Sequence, residues 1–272
     1  MRRDVLFLGF LLTLASATMA AGVRKDGVNS DAGGPEGQVS AFDSSTLVPI
    51  ADESTEVASW PKWRQGVQAW QWVHINGSDL ASVKPTVEVP GRLSARIDAW
   101  NGLAADRRAN RIFIAGNGGH ADYSGNEAYV IDLSVDKPAW KMLRPPTAKE
   151  FIVASNISKG VVHNYYLDGR PSSTHTYYAL NYLASRDAIF KFGAGSLWGT
   201  GNEKNWKTDA FSLAQNDWQP AGTWPDVVAD SHKGALGASI CLNTETEEVY
   251  IAAPRLRRFD PKRGEFEVLA RW

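Results

Sequence analysis

Three windows of fifteen residues share one alternation of apolar and polar positions and align without a gap: GLAADRRANRIFIAG (Gly102–Gly116), ALNYLASRDAIFKFG (Ala179–Gly193) and SICLNTETEEVYIAA (Ser239–Ala253). In each, an apolar run, a polar turn and a second apolar run follow one another. The turns ADRRANR, ASRDA and NTETEE carry charge and Asn or Asp, and the residues beside them are β-branched or aromatic, so each window predicts a β-hairpin. A third short strand follows each hairpin: YVIDL from Tyr129, DAFSL from Asp209 and RRFDP from Arg257. A fourth opens near an aromatic: Trp140 in AWKML, Trp218 in DWQPA and Phe266 in EFEVL.

Units of four short strands at recurring positions, marked by Ile112, Ile189 and Val249, are the pattern of propeller blades. A Trp-rich stretch ahead of them, AWQWVHI (Ala69–Ile75), reads as one more strand, contributed from the N-terminal side. The predicted fold is therefore all-β: about three four-stranded blades plus an N-terminal strand.

Two of the units close their hairpins on glycines, in IFIAGNGG and IFKFGAGS, continue into a strand ending in Asp or its substitute, and place a Trp six to eight residues on. With the RPSSTHTYY stretch ahead of the second hairpin, this resembles the kelch repeat of galactose-oxidase-like β-propellers. The resemblance covers roughly Arg92 to Trp272 and is degraded in the third unit, where AAP replaces the glycine pair. It implies a kelch-type propeller and fixes no activity. Closed propellers take about four to eight blades, so three units imply an incomplete ring. Blades beyond Trp272 are expected to be missing, with open edges that pair with those blades or with another copy.

The first residues, MRRDVLFLGFLLTLASATMAAG, pair Arg2 and Arg3 with an apolar run from Val5 to Leu14 and small residues at Ala15, Ala17 and Ala20, the pattern of a signal peptide over 1–20. Residues 21–59 are rich in Gly, Ser, Asp and Glu and read as a disordered linker, leaving 60–272 for the propeller. Export to the periplasm or the medium follows, with no membrane span. The formal net charge of −1 argues against nucleic acid as a partner. Cys241 is the only cysteine, which excludes an intramolecular disulfide; inside ICL it reads as a small buried residue.

In a blade, the connection from the second to the third strand and the approach to the first strand fall on one rim. That rim gathers His120, Asp122, Tyr123, Glu127, Arg170, His175, Tyr177, Trp198 and Glu203 as ligand-binding candidates, and His232 could join them. The GNE of SGNE repeats in GTGNE, so Asn126, Glu127, Asn202 and Glu203 also have a loop-building reading, with Gly125 and Gly201 at positive φ.

Galactose oxidase chemistry needs paired Tyr and His ligands and a Cys crosslinked to one Tyr, an arrangement the sequence around Cys241 does not offer. No GxSxG or HExxH is present, and no metal or cofactor is expected. The function expected is carbohydrate recognition, with Tyr123, Tyr177 and Trp198 stacking on sugar rings. The alternative is a carbohydrate-active enzyme of the polysaccharide lyase or sugar epimerase type, its catalytic candidates His120, Tyr123, Arg170 and His175. A protein-interaction scaffold is the third reading. Convergence of a His, an acid and an Arg within about 3–6 Å separates an enzyme from a binder.

Overall fold

The computed structural model describes residues 60–98, 100–120, 122–193, 195–200, 205–227, 238–252 and 255–271. The expected signal peptide and linker, together with Gly201, Asn202, Glu203 and His232, lie outside the described residues.

Among the described residues, twelve strands form three four-stranded antiparallel sheets, each in simple chain order. The first contains β1 (Ala104–Asp106), β2 (Arg111–Ala115), β3 (Ala128–Asp132) and β4 (Trp140–Arg144). The second contains β5 (Leu180–Leu183), β6 (Ala188–Phe192), β7 (Thr208–Ser212) and β8 (Asp217–Trp218). The third contains β9 (Ser239–Leu242), β10 (Val249–Ala252), β11 (Arg255–Asp260) and β12 (Glu265–Arg271). Helical segments among the described residues are 3-10 turns of three or four residues. None is long and apolar enough to cross a membrane.

Each hairpin is set by its polar turn. Asp106 ends β1 and accepts from the backbone N–H of Arg108 and Ala109 at 3.0 and 3.2 Å, while its second oxygen accepts from Arg111 at 2.7 Å. The chain then reverses through Asn110 at φ 52°, with Asp187 (43°) and Glu247 (61°) doing the same in the other two turns. Short polar side chains tolerate this left-handed backbone better than most; Glu247 is a longer exception.

The core lies between the sheets. Ala104, Phe113 and Ala128 of the first meet Ile189, Phe211 and Trp218 of the second. On the far side of the second sheet, Phe190 and Phe192 meet Val249, Ile251 and Phe259 of the third. The Phe192 and Phe259 rings are 5.1 Å apart, edge to face, and burying each such side chain contributes about 1.5–3 kcal/mol. The second sheet is consequently buried on both faces, with every position of β5, β6 and β7 buried and most of them apolar. One exception is Lys191, fully buried, whose Nζ lies 3.3 Å from buried Asp209 and donates to the Ser172 carbonyl at 3.2 Å. Burial pushes the Lys191 ammonium down and the Asp209 carboxyl up.

The third sheet buries one face only: Val249 and Ile251 alternate with half-buried Tyr250 and Ala252. Cys241 is on the open side and exposed, a correction to the buried reading that its apolar neighbours suggested.

The outer face of the first sheet is covered by the chain that precedes it. Arg96, 3% exposed, donates to the Tyr129 hydroxyl at 2.6 Å and to the Val83 carbonyl at 3.1 Å, and the Trp63 indole donates to the Leu133 carbonyl. Within this segment the strand expected over Ala69–Ile75 is absent. Trp70 turns the backbone left-handed at φ 68°, and Trp70 and Trp72 are 89% and 76% exposed. Strand propensity reflects side chains packed on a pleated, half-buried surface, and these indoles are exposed, so aromatic composition alone does not make the stretch a strand.

Candidate functional site

Gly119 is where three loops meet. Its backbone sits at φ 67°, and a Cβ added there would lie 2.2 Å from the Ser196 carbonyl oxygen and 2.5 Å from the His175 nitrogen. Only glycine permits that approach. Around it the β2–β3 loop, the approach to β5 and the β6–β7 loop interlock through backbone bonds: Gly118 N–H to Thr174 O at 3.0 Å, Thr174 N–H to Gly116 O at 3.0 Å, and the N–H groups of His120 and His175 both to Ser196 O, at 3.3 and 3.1 Å.

This brings His120, Asp122, His175 and Tyr177 together. The His120 and His175 rings are 5.7 Å apart at 48°, and Tyr177 meets His175 edge-on at 6.0 Å. His120 Nδ1 is 2.5 Å from the Thr200 carbonyl oxygen. A carbonyl only accepts, so Nδ1 carries a proton, and Nε2 is left to accept a proton or to hold a second one. Among the described residues, no protein group bonds His120 Nε2. His175 Nε2 donates to Asp122 Oδ2 at 2.8 Å, which leaves the lone pair on Nδ1. Burial holds the His175 imidazole below its ordinary range; the Asp122 carboxylate opposes that and His120 adds to it. Burial alone pushes the Tyr177 hydroxyl up.

Two residues outside the repeat complete the cluster. Arg92 reaches the other Asp122 oxygen, Oδ1, at 3.7 Å, and its side chain stays 63% exposed. Trp100 is 64% exposed with its ring 6.5 Å from His175 and 6.3 Å from Tyr177, and its carbonyl accepts from the Tyr177 N–H at 2.9 Å. Both precede the first fifteen-residue window, so hydrophobic periodicity gives no signal for either. Trp100, His120 and Tyr177 all have positive φ, at 69°, 49° and 44°. Bulky residues hold that backbone at a cost of about 1–3 kcal/mol each and tend to do so at functional sites.

The remaining candidates lie elsewhere. Tyr123 and Glu127 are each 2% exposed, and the Tyr123 hydroxyl donates to Glu127 Oε1 at 2.9 Å. Tyr129 donates to the same oxygen at 3.1 Å, while Oε2 is buried without a partner. Burial pushes the Glu127 carboxyl up, and likewise Tyr123. Their burial takes both away from any ligand-facing surface. Gly125 serves this packing and not the positive-φ turn expected of it. Its φ is not in the left-handed region, and an added Cβ would lie 2.2 Å from Glu127 Oε2 and 2.4 Å from the Tyr123 ring. Asn126 bonds Thr147 in both directions and donates to the Pro171 carbonyl.

Arg170 stands apart from the imidazoles, gripped by Asp168 at 3.0 Å and by Asp217 at 2.6 Å, and these carboxylates raise its pKa. Arg144 of β4 meets the same Asp217, so the cluster ties the first sheet to the second. Trp198 is half-buried, with its backbone N–H donating to Ser173 O.

Among the described residues no group of three or more His, Cys, Asp or Glu is arranged to hold a metal ion. No protein-family model matches the chain, and no curated protein is significantly similar to it.

Proposed function

We propose that this chain is an exported kelch-like β-propeller module that recognises carbohydrate on the rim around His120, Asp122 and His175. The propeller reading is supported by successive four-stranded sheets in chain order, with β1 against β5 and β2 against β6. Export to the periplasm or the medium is supported by the sequence of residues 1–20.

The observation that carries the carbohydrate reading is Trp100. A large indole held 64% exposed, on a strained backbone, beside Tyr177 and His175, offers a flat apolar face for the C–H face of a sugar. Arg92 pairs with Asp122, and Asp122 and His120 both adjoin the same His175, which adds donors and acceptors for hydroxyls.

Thermal unfolding and calorimetric titration against neutral and acidic glycans test this. Binding of at least one glycan is expected, weakened about 30-fold by Trp100→Ala, the effect of losing a central aromatic anchor worth about 2 kcal/mol. The reading fails if the folded chain titrates no glycan, or if Trp100→Ala binds as tightly as the wild type. A protein partner held at this rim without any glycan response would make it an interaction scaffold instead.

A further inference from the structure

Recognition alone does not account for the two imidazoles. Each has one nitrogen fixed by a protein acceptor, His175 by Asp122 and His120 by the Thr200 carbonyl, and in each the other nitrogen has no protein partner among the described residues. A binding site needs hydroxyl partners. Two oriented imidazoles with ring centres 5.7 Å apart, the half-exposed His120 beside the 4% exposed His175 and a carboxylate behind the latter, are the parts of a proton-transfer site.

We propose that the rim acts on a uronate-containing polysaccharide by β-elimination, with His175 as the base oriented by Asp122 and His120 as the acid. The inference rests on the carbohydrate reading above. Arg92 selects the acidic sugar: its exposed guanidinium spends one nitrogen on Asp122 at 3.7 Å and keeps the others for a carboxylate. Pairing that carboxylate with a cation acidifies the neighbouring C5–H; a neutral sugar has no carboxylate on C5 and its C5–H stays unactivated.

The C5 proton passes to His175 Nδ1, and the electron pair of that bond becomes the C4=C5 double bond. The C4–O bond breaks, its pair stays on the glycosidic oxygen, and that oxygen takes a proton from Nε2 of cationic His120. The products are an unsaturated uronate and a new sugar end, with no water or oxidant consumed; His175 then releases its proton to solvent and His120 regains one. Burial supports the role of His175 by keeping its imidazole neutral and able to accept.

The test incubates the full chain with polygalacturonate, alginate and glucuronan, with neutral glycans as controls. It reads the ultraviolet absorbance of the conjugated unsaturated carboxylate, exchange of the C5 proton in heavy water, and binding by calorimetry. Absorbance is expected to rise with a uronate polymer and to fall at least about 100-fold in His120→Gln and His175→Gln, while affinity changes by less than about five-fold. His120→Gln, at a half-exposed position, decides the question if His175→Gln does not fold. Saturable binding with neither absorbance nor exchange overturns the elimination and leaves carbohydrate recognition standing. Exchange without absorbance overturns the elimination step, and unchanged turnover in His120→Gln overturns the role of that residue. A folded chain that binds no glycan overturns both readings.

Discussion

Alanine at Gly119 strains the rim in two separable ways. The backbone there has φ 67°, which costs an L-residue about 1–2 kcal/mol. The new methyl would also stand 2.2 Å from the Ser196 oxygen and 2.5 Å from the His175 nitrogen, both backbone atoms in a three-loop weave. Relieving that overlap needs a displacement of about 1 Å, and overpacking of this kind costs about 1–3 kcal/mol.

Gly119→Ala is therefore expected to lose about 2–5 kcal/mol, or about 4–20 °C in Tm for a domain of this size. Two further glycines separate the terms. Gly160 has φ 73° and nothing within 4 Å of an added Cβ, so Gly160→Ala carries the backbone cost alone, about 1–2 kcal/mol. Gly125 lacks the positive φ but would meet Glu127 and Tyr123, so Gly125→Ala carries only the packing cost of about 1–3 kcal/mol. Thermal unfolding of the three variants side by side is the assay. If Gly119→Ala is no less stable than Gly160→Ala, the close loop approach does not hold the rim and this account is wrong.

Lys191→Met strands Asp209 inside the second sheet and should cost about 3–5 kcal/mol in urea unfolding, most of it recovered by adding Asp209→Leu; equal loss in the double variant would refute the pairing. His175 has its folded pKa below the unfolded value near 6.5, so as pH falls through 6.5 the unfolded chain takes up the proton first and stability drops. Stability measured from pH 7.5 to 5.5 should fall more steeply in the wild type than in His175→Gln, and matching slopes would show that His175 is not the group responsible. Arg170→Gln should lower unfolding stability by only about 1 kcal/mol, because the pair is partly solvated, and leave glycan affinity unchanged; lost affinity would return Arg170 to the binding surface.

The hairpins were legible because a polar turn between two apolar runs is a local signal that the structure obeys locally: Asp106 and Asn110 build the first turn within a few residues of each other. The strand expected over Ala69–Ile75 shows the limit of that reasoning, since pairing depends on a free edge elsewhere and composition does not report one. Tyr123 and Glu127 look like ligand residues in the sequence for the same reason that they do not behave as such. They bond each other under Gly125, and burial of a polar pair is invisible until the chain folds. Arg92 and Trp100 went unseen because they precede the repeat and reach the rim only through the segment that wraps the first sheet.

The Trp218 indole, on the last strand of the second sheet, donates at 3.0 Å to the carbonyl of Asn126 in a loop of the first, and Asp217 beside it holds Arg144 at the end of β4. The loop that shapes the rim is thus moulded partly by its neighbour. A single four-stranded unit excised or duplicated alone would leave that mould behind, so inheritance of the rim, in engineering or in evolution, has to proceed two units at a time.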